Sequence, residues 1–284
     1  MPILRYNPVT TQWTLLGGQS EHTVHVTQAH IQEQARHPEL LAACYPNSPF
    51  AIESEDAPIP TNEHLLYAEE PAVGEYELLL YRGEMDIFTW DSALWEGWLE
   101  LLQTRLLAFH RNPYLHSVRV VLHTGLQQST APLFRRVGDL IATSRPLTGQ
   151  LPLLSPELIK LMIDREAAFT VLHDAHGSLQ APSAPTHADE LWYLPSGHSP
   201  RLETLRGSEL RNLAKTLEVT CAALRRSHLN HDYLFTLHTT MGVPDAEGSW
   251  WLQLHRHVPH GMILPVQSPP EMLVQRLRYA IGSL

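Results

Sequence analysis

Two strand–helix–strand runs recur along this chain at almost a single offset, and that repeat limits the fold more than any one motif does. In the first run, residues 76–82 (YELLLYR) and 118–123 (VRVVLH) have the composition of strands. Between them Leu94, Trp95, Trp98, Leu101, Leu102, Leu106 and Phe109 recur every three or four residues, so Asp91 to Phe109 reads as an amphipathic helix capped by Asp91 or Ser92. In the second run, ELWYL at 190–194 and YLFTLH at 233–238 flank a helix from Ser208 to Arg226, with Leu210, Leu213, Leu217, Cys221 and Leu224 inward. The helix starts lie 117 residues apart and the strands that follow them 115 apart, which points to one unit used twice. A strand from Trp250 to Val258 and a helix from Pro270 through Leu273, Leu277 and Ile281 complete the second run. Connectors rich in Gly, Pro and Ser at 144–156 and 177–188 place the join near residue 150, giving expected halves of 1–150 and 151–284.

Composition removes several classes of function. With 20 basic against 30 acidic residues the net charge is −10, and Lys160 and Lys215 are the only lysines, so no basic field exists to hold a nucleic-acid backbone. A phosphate ligand would need local arginine. Cys44 and Cys221 lie far apart with no CxxC pair, which argues against a disulfide framework and for reduced, cytoplasmic thiols. The opening MPILRYNPVTTQW is not a basic segment followed by an apolar run, and no stretch approaches the roughly 18 apolar residues of a membrane helix, so a soluble, unexported protein is expected.

The densest group of chemistry-bearing residues is Gln253, His255 and His257, which alternate along one strand and so share a face. Two such imidazoles can hold a metal, or one can attack phosphorus while the other binds the leaving oxygen. With 18 histidines in the chain, a hydrogen-bonded polar strand face accounts for the same pattern. His238, on the preceding strand, could join the pair across a sheet, and Glu157 could complete four ligands. The pairs His173 and His176, His228 and His231, and His22 and His25 sit in polar, loop-like surroundings and read as surface. Arg135 and Arg136 follow the small-residue stretch from Gly125 to Pro132, where backbone N–H groups and paired guanidiniums suit an oxyanion. As residues opening a helix they would be ordinary solvated surface. GxGxxG, GxxxxGK[ST] and GxSxG are all absent, so the usual signatures of Rossmann cofactors, P-loop hydrolysis and serine hydrolases are missing.

Taken in order, these segments resemble the galactose-1-phosphate uridylyltransferase family of the histidine-triad superfamily. Arg5 to Trp13 is similar to its N-terminal RxNPxTxxW segment, Leu191 to His198 to its LLPxxH stretch, and Trp251 to His257 to its WQLHxH strand. The resemblance runs over nearly the whole chain. It implies a duplicated α+β unit with a mostly antiparallel sheet and helices packed on it, a homodimer, and a nucleotide or sugar-phosphate ligand.

The same resemblance marks departures in the chemistry. Family enzymes use HPHxQ, whose second His attacks the α-phosphate of UDP-glucose while the Gln bonds the phosphoryl oxygens. Aligned through Ile141 to Thr143, Val137 stands at the nucleophile and Asp139 at the Gln. Valine has no lone pair for phosphorus, and an aspartate there repels phosphate. Of the family's zinc ligands only Cys44 remains near its place, with Met85 and Arg135 at two of the others, and one ligand of four cannot hold zinc. The turn after Trp13 lacks the family's arginines, and His123 replaces an asparagine before the glycine of the nucleotide turn. The implied ligand site comprises His123, Gly125, Ser129, Arg135, Arg136 and Gln253. The implied metal site, for zinc or iron, comprises His255 and His257 with His238 and Glu157. The expected function is a non-catalytic or repurposed binding protein that has lost the HPH nucleophile. One alternative is an active nucleotidyltransferase or phosphorylase with a displaced nucleophile at His123 or the His255 and His257 pair. The other is a structural or partner-binding scaffold.

Overall fold

The structure, a computed structural model, describes residues 3–7, 12–16, 50–55, 74–81, 86–115, 117–123, 135–143, 156–165, 167–183, 185, 187–196, 201–227, 229, 233–240, 250–256 and 269–284. The chain forms two compact units: one of residues 1–84, 108–120 and 127–151, the other of residues 85–107, 121–126 and 152–284.

In the first unit, β1 (Ile3–Asn7) and β2 (Gln12–Leu16) form a hairpin with Tyr6 opposite Trp13. The larger sheet contributes β3 (Phe50–Glu55), β4 (Gly74–Tyr81), β5 (Ser117–His123, whose last three residues fall in the second unit) and β6 (Arg135–Thr143), in the order β3-β4-β6-β5. The pairings of β3 with β4 and of β4 with β6 are antiparallel. Leu79, Val118, Val120, Leu140 and Ala142 supply its apolar core.

The second unit opens with a 3-10 turn, Ile87–Thr89, and α1 (Ser92–Phe109), all but the last two residues of which belong here. Asp91 caps α1, its Oδ1 accepting from the Leu94 N–H at 2.9 Å, as the sequence predicts. Next come α2 (Pro156–Arg165), β7 (Thr170–His173), β8 (Gly177–Gln180), β9 (Leu191–Pro195), α3 (Ser208–Arg226), β10 (Tyr233–Thr240), β11 (Trp251–Arg256) and α4 (Pro270–Gly282). The strands form an antiparallel run in the order β10-β11-β9-β8-β7. Tyr233, Phe235, Leu237, Leu252, Leu254 and Tyr193 are buried along one face of this sheet. There Phe235 meets Trp95 of α1 at 5.8 Å and Tyr233 meets Phe88 edge-on at 6.1 Å. Leu210, Leu213, Leu217, Cys221 and Leu224 of α3 are buried, as their spacing requires, and burial raises the Cys221 thiol pKa well above its ordinary value.

The duplication is plain in the topology. β6 lies between β4 and β5 as β11 lies between β9 and β10, and β4, α1, β5 and β6 recur as β9, α3, β10 and β11 with starts 116 or 117 residues apart. The fold is α+β, with helices packed on antiparallel sheet.

Three local expectations change. The connector read at 177–188 contains β8, and the connector read at 144–156 ends where Pro156 opens α2. All four residues of β8 are buried, because Gly177 lets its backbone come against Tyr193; a Cβ there would lie 2.9 Å from the Leu194 carbonyl oxygen and against the tyrosine ring. Arg135 and Arg136 begin a strand and not a helix, since the alternating run to Thr143 is taken up by pairing with β4. Among the described residues, no helix is long and apolar enough to cross a membrane.

Candidate functional site

In the first unit, β6 carries the segment that the resemblance aligns with the family's catalytic motif. Its pairing with β4 slips there: Leu79 lies opposite Gly138 and Leu80 opposite Arg136, which leaves Val137 without a register partner on β4, in a β-bulge. A bulge turns a strand and re-aims a side chain, and such irregularities gather beside functional sites. The backbone feature is thus present, with a hydrocarbon side chain on it. His123 ends β5, and Arg135, Arg136 and Asp139 lie on β6; of these four the structure describes the backbone. Gly125, Ser129, Cys44, Met85 and His257 lie outside the described residues.

The second unit holds a polar constellation that the sequence reading assembled only in part. Register partners across an antiparallel sheet share a face, so Gln180, Trp192, Gln253 and Thr236 form one row over β8, β9, β11 and β10. Ser178 and His238 lie on the same face, two residues along from Gln180 and Thr236. Ser178, Gln180, Glu190, Thr236, His238 and Gln253 are all buried, the least so at 5% exposure. A sheet face this polar and this dry is costly unless its groups bond one another.

Most of them do. Glu190 precedes β9 and receives the Trp192 indole N–H at 2.6 Å and the Gln253 amide at 2.7 Å on Oε1, and the His187 backbone N–H at 2.9 Å on Oε2. The His187 imidazole stands 3.7 Å from Oε2. Burial pushes the Glu190 pKa up, but hydrogen bonds from His187, Trp192 and Gln253 outweigh that and hold it at about 2. Glu190 is therefore an anion at neutral pH and can only accept. Gln253 must then turn its NH2 to Glu190 and its oxygen to His238, whose Nε2 lies 3.1 Å away. His238 consequently carries its proton on Nε2, and its ring stacks on Trp251 at 4.0 Å. The turn that delivers Glu190 bends through Asp189 at φ 53°, a conformation aspartate tolerates better than most residues.

The structure does not bring the four expected metal ligands together. His255 lies opposite Leu234, while His238 lies opposite Trp251, so the two histidines are separated by four residues along the strand, about 13 Å. His255 stacks on His187 at 3.9 Å between centroids, and its Nδ1 lies 3.1 Å from the Arg256 carbonyl oxygen. Glu157 is exposed in the first turn of α2. Among the described residues, no group of three His, Cys, Asp or Glu could hold a metal ion. The side chains aligned with the family's zinc site, one thiol with a thioether and a guanidinium, do not fit zinc. Gln253 is the one expected ligand-binding residue seen in full, and it bridges Glu190 and His238. Glu190, Trp192, His187 and Gln180 were missed; the available signal was an acid leading an apolar strand, ELWYL.

Antiparallel sheet built on one repeated β–α–β–β order defines a duplicated α+β fold, and solved structures share it. A uridylyltransferase structure covers 100% of this chain with 99% of its own length at a TM-score of 0.68 and 14% identity. An ADP-glucose phosphorylase from Arabidopsis thaliana, with bound ADP-glucose, covers 98% of this chain with 99% of its own at 0.58 and 15% identity. A GalT-like protein from Arabidopsis thaliana covers 81% of this chain with 83% of its own at 0.57 and 13% identity. No protein-family model and no curated protein matches the sequence. The fold is that of the uridylyltransferases.

Proposed function

We propose that this chain is a nucleotide- or sugar-phosphate-binding protein on the uridylyltransferase fold that forms no covalent uridylyl intermediate. The observation that supports it is the bulge on β6: the position that the resemblance gives to the attacking imidazole is Val137, which offers phosphorus no electron pair. Asp139 two residues on adds a negative charge where a phosphoryl group would need a donor. Arg135 and Arg136 beside the bulge supply fixed cations, which favour a bound oxyanion without any chemistry. The reading carries with it a cytoplasmic homodimer, checked in solution by light scattering.

The test is a thermal-shift series with UDP-glucose, UMP and glucose 1-phosphate. A ligand at a hundred times its Kd stabilises by about 2.7 kcal/mol, a shift that is readily measured. Stabilisation by at least one of them is expected; no response to any of the three leaves only the scaffold reading.

A nucleotidyltransferase or phosphorylase reading is favoured by one observation. His238 is a buried imidazole whose tautomer Gln253 and Glu190 set, which is how a histidine is prepared for nucleophilic or general-base work. The likeness to the ADP-glucose phosphorylase accords with it.

A further inference from the structure

In the second unit α3 packs against α4, and an open hollow of about 520 Å³ lies where the two helices end, lined by Arg226, Ser227, Arg276, Tyr279 and Ser283. Two guanidiniums from two helices share this depression, and no acidic side chain among the described residues lines it. Arg226 donates to the Ser283 carbonyl oxygen and, at 3.0 Å, to the Ser283 hydroxyl, neutral acceptors that leave its charge unmatched. Arg276 is exposed and has no ion-pair partner among the described residues. Arg225 lines the adjoining hollow of about 670 Å³ together with Arg226. Its two acids are already engaged, Glu218 with Lys215 at 2.8 Å and Asp91 with the α1 cap at 2.9 Å. Arginines in a last turn complement the helix dipole, which accounts for Arg225 and Arg226 on α3. It does not account for Arg276, which lies mid-way along α4. In a chain of net charge −10, a third cation set beside that pair with no acid between them is unfavourable until an anion arrives.

We infer that this hollow is an oxyanion site for a phosphate monoester, formed by Arg226 and Arg276 with the Tyr279 and Ser283 hydroxyls. Two planar guanidinium forks match the two charges and the several oxygens of such a dianion, and the hydroxyls add donors at its edge. A carboxylate, with a single charge, would leave one guanidinium unmatched. Tyr279 is 82% exposed at the rim, so the site is open to a ligand that carries its phosphate on a larger body. The site needs no residue of the first unit, to which β6 belongs, and stands or falls apart from the reading of Val137 and Arg135.

The experiment titrates inorganic phosphate and glucose 1-phosphate into the full chain at constant ionic strength, with acetate as the monoanion arm. It follows the arginine Nε–Hε signals in nitrogen–proton NMR spectra. The Arg226 and Arg276 signals are expected to move with at least one of the two phosphates and to stay put with acetate. In Arg276→Gln, which removes a charge from an exposed side chain, the same phosphate is expected to act on the Arg226 signal with an affinity about tenfold lower or weaker still. In Arg135→Ala the response of Arg226 and Arg276 is expected to persist. Unmoved signals with both phosphates would overturn the proposal and assign the arginines to the helix ends alone. Equal movement with acetate would overturn it as well, as the mark of a general cationic surface, and so would unchanged affinity at Arg226 in Arg276→Gln. Loss of the response in Arg135→Ala would mean that the signals report a ligand held through the first unit, again against the proposal. If Arg276→Gln does not fold, the titrations of the wild type and Arg135→Ala decide alone. Thermal stabilisation by UDP-glucose or glucose 1-phosphate with both arginine signals unmoved would remove this site and leave the proposed function standing.

Discussion

Replacing Glu190 with Gln tests the charged centre of the second unit's polar face. The carboxyl is held at about 2 against an ordinary 4.5, and each unit of that difference corresponds to about 1.36 kcal/mol, so its ionised form contributes about 3 kcal/mol at neutral pH. The sign follows from the lowered value. The contribution is fully present above the unfolded pKa, and it is lost as pH falls from about 5 through 2. By pH 3 less than half of it remains. Glu190→Gln keeps the size of the side chain but turns one acceptor oxygen into a donor, which sets an N–H against either the His187 N–H or the Trp192 and Gln253 donors. The expected loss at pH 7 is about 2 to 3 kcal/mol, shrinking as pH approaches 3 because the wild type loses its own advantage there. Urea unfolding of both proteins between pH 3 and pH 7 measures it. A loss of the same size across that range, or none at pH 7, would refute the reasoning, since either outcome means that the hydrogen bonds do not favour the ionised form.

Gly177→Ala is expected to cost about 1 to 3 kcal/mol in chemical unfolding, because the added methyl meets the buried Tyr193 ring and the Leu194 carbonyl oxygen, which are held by sheet pairing. Arg135→Ala should weaken whichever phosphate ligand responds in the thermal-shift series by about tenfold or more, measured by calorimetry; unchanged or tighter binding would mean that the arginine closes the pocket. Zinc or iron at His255 and His257 is tested by elemental analysis: any bound metal should fall in both His255→Ala and His257→Ala, and near-stoichiometric metal surviving both would place it elsewhere.

The helices and the repeat are legible in the sequence because their signal is local. Trp95, Trp98, Leu102 and Leu106 of α1 and Leu213, Leu217 and Leu224 of α3 mark buried stripes within one helix each, and the common offset survives because both copies keep the same order of elements. β8 is hidden because its four residues, GSLQ, look like a turn; what makes them a strand is the fit of Gly177 against Tyr193, a residue 16 positions later. The polar site is less legible still. Gln253 reaches Glu190 across 63 residues and His238 across 15, so the triad exists only once strand order and register are fixed. Alternation along β11 correctly places Gln253 and His255 on one face, but it carries no information on which residue of β10 stands opposite. That is why His238 falls beside Trp251 and not beside His255. The resemblance, in turn, sets Val137 at the nucleophile position, but the bulge there and the buried polar network in the second unit appear only once register is fixed.

The central claim is binding without covalent transfer, and the intact mass of the protein after incubation with UDP-glucose tests it most directly. With Val137 at the nucleophile position, the mass is expected to stay unchanged while the ligand still raises thermal stability. A stoichiometric uridylyl adduct on any histidine would contradict the account, and its location by peptide mapping would identify the displaced nucleophile.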